Sequence, residues 1–156
     1  RYTMLKKLIC SYITLIAIAM MLVPAAIASD IPADVEKILQ EIRQDRPVPA
    51  LPWLKRTKSV NVGCAYYRGN YNSINVTVET HPDSNRVASV LLQIPGEDRT
   101  KQVLPAVKRV IGPPRHSSPK KSQYSWEWSK YRSASVHYTS VGKSGEGFTI
   151  VSLFYQ

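Results

Sequence analysis

Three histidines, one cysteine in the body of the chain and two lone glutamates are the side chains from which catalysis would have to be built. His81, His116 and His137 fall in a turn, a loop and a strand, with no metal-ligand spacing among them. Glu79 and Glu127 stand singly on the polar faces of strands, so neither has a neighbour with which to share acid and base roles. Gly142-Lys143-Ser144 has the ending of a phosphate loop, but His137 occupies the place of its first glycine and no helix follows. No Gly-x-Ser-x-Gly elbow, His-Glu-x-x-His pair or dinucleotide fingerprint is present. Cys64 lies in Val60-Asn61-Val62-Gly63-Cys64, which reads as a strand with the thiol on the side of the valines. A buried, inert thiol is expected there, since no base accompanies it. The sequence therefore nominates no catalytic residue, no metal and no cofactor.

Aromatic and basic residues offer a different chemistry. Tyr66 and Tyr71 in the first half, and Trp126, Trp128 and Tyr131 in the second, are large amphipathic anchors of the kind that dominate protein interfaces. Whether the two tryptophans serve an interface or pack beneath a helix is open from sequence. Lys120, Lys121, Lys130 and Arg132 accompany them. Charge is concentrated in the same region. Arg99 to Arg132 sums to +8, whereas Asp30 to Leu54 sums to −2, Lys55 to Asp98 to +1 and Ser133 to Gln156 to zero. A field of that sign steers towards an acidic partner, either a protein or an anionic envelope surface of lipid or lipopolysaccharide. Export argues against nucleic acid.

The elements that must position these residues follow from pattern. Arg1 to Lys7 is basic, Leu8 to Val23 is mostly apolar, and Pro24-Ala25-Ala26-Ile27-Ala28 ends in small residues. This is the order of a secretory signal beginning at Met4 and cut after Ala28, which places the protein in the periplasm or outside the cell. Removing 1–28 takes Arg1, Lys6, Lys7 and Cys10 with it, which lowers the chain's +10 to +7 and leaves Cys64 without an internal disulfide partner. No later segment is long and apolar enough to span a membrane. Residues 29–156 then form one domain of α+β class.

Ile31, Val35, Ile38, Leu39 and Ile42 make one helical stripe, and Val103, Leu104, Val107, Val110 and Ile111 a second. Gly112-Pro113-Pro114 stops the second helix, and Pro105 is expected in its first turn. Period-two segments occupy Ile74 to Val78, Val87 to Ile94, Tyr124 to Trp128, Ala134 to Tyr138 and Phe148 to Tyr155. An offset of 60 places Tyr66 on Trp126, Tyr71 on Tyr131, Val76 on Val136 and Val90 on Ile150. The sequence thus admits a tandem α-β-β-β repeat, 29–96 and 97–156. Pairing two such units gives an antiparallel sheet with two helices on one face.

In Leu104 to Trp128, and in the element order from Asp30 to Tyr155, the chain resembles two groups of exported bacterial proteins. One is the outer-membrane assembly lipoproteins of the SmpA/OmlA type; the other is the β-lactamase inhibitor protein family. It lacks the lipidated cysteine of the first and the paired cysteines of the second. The resemblance implies a non-catalytic protein that offers an open sheet face to another protein: an inhibitor, immunity protein or envelope accessory factor.

Overall fold

The structure, a computed structural model, describes residues 29–141 and 146–155. The secretory signal expected at 1–28 lies outside the described residues. Helix α1 (Ile31–Glu41) is followed by β1 (Leu54–Thr57), β2 (Tyr66–Tyr71), β3 (Ile74–Thr80) and β4 (Val87–Gly96). Helix α2 (Thr100–Ile111) is followed by β5 (His116–Ser118), a 3-10 turn (Pro119–Lys121), β6 (Gln123–Ser129), β7 (Arg132–Ser140) and β8 (Gly147–Tyr155). The eight strands form one antiparallel sheet in the order β1-β2-β3-β4-β8-β7-β6-β5. The last strands of the two halves meet at its centre, with Val90 opposite Leu153 and Leu92 opposite Val151. The fold is α+β.

Each half is a helix and four strands, not three. The additional strands, β1 and β5, are the two edges, only four and three residues long. Leu-Lys-Arg-Thr and His-Ser-Ser are too short and too polar to show an alternation, as suits exposed edges that must not recruit another chain.

Directly paired residues share a face, so the register separates the two sides of the sheet. Val76, Val78, Val90, Leu92, Ala134, Val136, Val151 and Leu153 join Val35, Ile38, Leu39, Val103 and Val107 of the helices in one core. The opposite face carries Thr77, Leu91, Gln93, Ser135, His137, Ile150 and Ser152, all part-exposed. α1 begins at Asp30, whose carboxylate accepts a bond from the Ala33 N–H at 3.3 Å, with Pro32 in the first turn.

Two local expectations are corrected. α2 begins at Thr100, so Pro105 lies inside it rather than in its first turn. The start is fixed by Asp98, whose Oδ1 accepts from the Thr100 N–H (2.9 Å) and hydroxyl (2.6 Å). The carbonyl that Pro105 cannot bond belongs to exposed Lys101, where water can satisfy it. Val60 to Cys64 is a loop, not a strand. Gly63 turns it at φ +77°, and Val60 and Val62 are exposed because no strand lies beside them.

The constant offset of 60 is also displaced. It sets Tyr66, paired with Glu79 on the uncovered face, against Trp126, paired with Ala134 in the core. It likewise sets core-facing Val90 against Ile150 on the uncovered face. A bulge between Glu127 and Ser129 shifts the register of β6, and a slip of one residue reverses every side chain. Counted from the turns, Tyr67, Gly69 and Tyr71 correspond to Tyr124, Trp126 and Ser129, and Trp128 is the extra residue of the bulge. The Trp53 ring covers Gly69, where a Cβ would lie 2.9 Å from the ring and 2.2 Å from the Trp53 carbonyl oxygen. Each half therefore holds one indole at the same place, supplied by the chain before β1 in the first half and by β6 in the second.

Candidate functional site

The β6–β7 connection is Lys130-Tyr131, a two-residue loop closed by the pairing of Ser129 with Arg132. Ser129 Oγ accepts from the Tyr131 N–H at 3.2 Å. The loop carries Tyr131 outward, 49% exposed, and the bulge before it leaves Trp128 37% exposed. Each ring bears a cation: Lys130 Nζ is 4.7 Å from the Tyr131 centroid, and Arg132 Cζ is 5.2 Å from that of Trp128. Arg115, His116 and Glu127 border the same turn, lining with Trp128 and Lys130 a shallow depression of about 250 Å³.

Arg132 is held from the other side as well. Its Nε donates to Gln44 Oε1 (3.1 Å), while the Gln44 amide donates to the Ala88 carbonyl (2.9 Å). Its guanidinium also lies 6.0 Å from the Tyr155 ring, whose neighbour is His81, edge-on at 4.9 Å. His81 Nε2 in turn is 3.0 Å from Asp45 Oδ1. A cation between two aromatic faces and fixed by an amide is an oriented, half-buried anchor.

Four of the nine nominated residues thus come together: Trp128, Lys130, Tyr131 and Arg132. Lys120 and Lys121 sit in the 3-10 turn at the opposite end of β6, about 20 Å away at some 3.3 Å per residue. Trp126 is a core residue, 2% exposed, and its indole N–H donates to the Gly112 carbonyl at 2.9 Å. Tyr71 lies half-buried on the helix side, beside Trp53 at 5.3 Å, and its hydroxyl accepts from Lys37 Nζ at 3.0 Å. Tyr66 is buried on the uncovered side, bonded by the Asn61 amide at 2.8 Å. Burial, then a hydrogen bond to Glu79, pushes its phenol up to about 12. Tyr66, Tyr71, Trp126 and Trp128 therefore share no exposed face.

Sequence reading missed Gln44 and Tyr155, the partners of Arg132. Neither stands near it in sequence, and only the closing of β8 on β7 brings Tyr155 opposite Arg132. Half-buried Cys64 has its thiol pKa raised, first by burial and then by the charge of Glu79, which keeps it protonated and poorly nucleophilic. His137 Nδ1 lies 3.3 Å from Ser135 Oγ on the uncovered face. Among the described residues no three His, Cys, Asp or Glu side chains gather closely enough to hold a metal ion.

The geometry defines a class: an α+β protein built of two helix-plus-four-strand halves, with one sheet face left uncovered by the described residues and an aromatic-basic turn at one end. Beyond that class, comparison with family models, curated proteins and solved structures finds no match for this chain. No helix among the described residues is long and apolar enough to cross a membrane.

Proposed function

We propose that the chain is an exported, non-catalytic binding module that docks an acidic protein, as an inhibitor, immunity protein or envelope accessory factor. The docking end is the β6–β7 turn. The observation that carries this reading is the pair of exposed rings, Trp128 and Tyr131, each with a cation on its face. Rigid aromatic anchors beside guanidinium and ammonium groups concentrate binding free energy, and the +8 of Arg99 to Arg132 speeds encounter with negative charge. The one-sided sheet accords with a relation to the SmpA/OmlA lipoproteins and the β-lactamase inhibitor proteins, which belongs to the same proposal.

The test is capture from an envelope extract at low and high salt by the wild-type chain and by Trp128→Ala/Tyr131→Ala. A saturable acidic partner, held more tightly at low salt and lost by the double variant, is expected. Absence of any saturable partner at both salts refutes the reading. A second reading, adhesion to anionic lipid or lipopolysaccharide, draws on Lys120 and Lys121, both exposed on the 3-10 turn. Co-sedimentation that follows the anionic content of vesicles and is lost in Lys120→Gln/Lys121→Gln would support it.

A further inference from the structure

A cleft of about 410 Å³ opens where the residues following α1 approach the end of α2. Four arginines line it: Arg43 and Arg46 after α1, Arg109 of α2 and Arg132 of β7. Gln40 and Gln44 are its amides, its floor is apolar, and no Asp or Glu lines it. Four guanidiniums around one recess repel one another unless negative charge joins them. Among the described residues one carboxylate pairs with them, that of Glu36, which accepts from Arg109 Nε at 2.8 Å and from its Nη2 at 2.7 Å.

The other three keep most of their donors. Arg43 bonds through Nε alone, to the Gln40 carbonyl at 2.9 Å, and Arg132 through Nε alone, to Gln44. Arg46 has no side-chain hydrogen bond or ion pair among the described residues. The recess is larger than a single oxyanion requires and falls in the size range of ligand sites. A guanidinium fork matches a carboxylate in two parallel bonds, and glutamine amides can pair with peptide groups.

We infer that this cleft receives a pair of carboxylate side chains from an acidic segment of the partner protein. The inference rests on the docking reading above, because Arg132 belongs both to the cleft and to the aromatic-basic turn. A chain lying over Trp128 and Tyr131 continues past Arg132 into the recess. The turn supplies the apolar anchors, and the cleft selects for Asp or Glu.

A dye-labelled short oligoglutamate, titrated into the full chain and followed by anisotropy, tests this. Saturable binding is expected, weakened about tenfold or more in Arg43→Gln/Arg46→Gln, since two charge-assisted contacts are lost. Lys120→Gln/Lys121→Gln removes the same charge at the far end of β6 and should leave the affinity within about twofold of wild type. All four residues are exposed, so unchanged thermal midpoints serve as the folding control. Equal weakening by both pairs, or no saturable binding by wild type, overturns the cleft. In that event, loss of partner capture by Trp128→Ala/Tyr131→Ala still upholds the docking end, so the two failures are distinguishable. Phosphatidylglycerol vesicles bound through Arg43 and Arg46 while oligoglutamate is ignored would also overturn it, by giving the cleft to lipid.

Discussion

Trp126 and Trp128 stand two residues apart on one strand and have opposite fates. Trp126 is enclosed by the core and donates its N–H to the Gly112 carbonyl. Trp128, at the bulge and near the end of the strand, is 37% exposed and carries Arg132 on its ring. Alternation put both on one side of β6 and gave no sign of the bulge that takes Trp128 out of the pairing. Trp126→Ala should therefore cost about 3–5 kcal/mol of stability, and Trp128→Ala less than about 1 kcal/mol, both read from urea unfolding. Tyr66 gives a prediction in pH. Its folded-state pKa, about 12, exceeds the ordinary 10.0, so the fold favours the neutral phenol. That contribution is complete below pH 10 and disappears as pH rises through 12. The urea midpoint of the wild type should fall across this window more steeply than that of Tyr66→Phe.

Among the elements, those with a sustained alternation were legible: β3, β4, β6, β7 and β8 fall where period two placed them, as does the stripe of α1. β1 and β5 were not, because edge strands this short leave no periodic signal. The turn-to-turn equivalence of the halves was hidden by the bulge in β6. It explains a glycine that sequence alone passes over. At Gly69 the Trp53 backbone and ring press against β2. Gly69→Ala should cost about 1–3 kcal/mol, since the carbonyl in its way is backbone and cannot rotate aside. Pro105 is the reverse case, a residue that interrupts α2 without ending it. Restoring the missing N–H in Pro105→Ala should add about 1 kcal/mol of stability once the freer unfolded chain is counted, read as a higher thermal midpoint.

For the whole molecule, the charge excess proves directional. Reading the chain located it between Arg99 and Arg132, but folding divides it: Lys120 and Lys121 go to one end of β6, while Lys130 and Arg132 go to the other. The second group is then joined by Arg43, Arg46 and Arg109 from the helical layer. Two of these, Arg43 and Arg46, lie in the segment whose sum is negative, so no tally along the chain could have found the cleft. The central claim is that the aromatic-basic end docks an acidic protein. Its most direct test is the dissociation constant of the captured partner for wild type and for Trp128→Ala/Tyr131→Ala, each at two salt concentrations. Loss of two anchors should weaken binding about a hundredfold, with the wild-type complex weakening further as salt rises. A double variant that binds the partner as tightly as wild type would contradict the account.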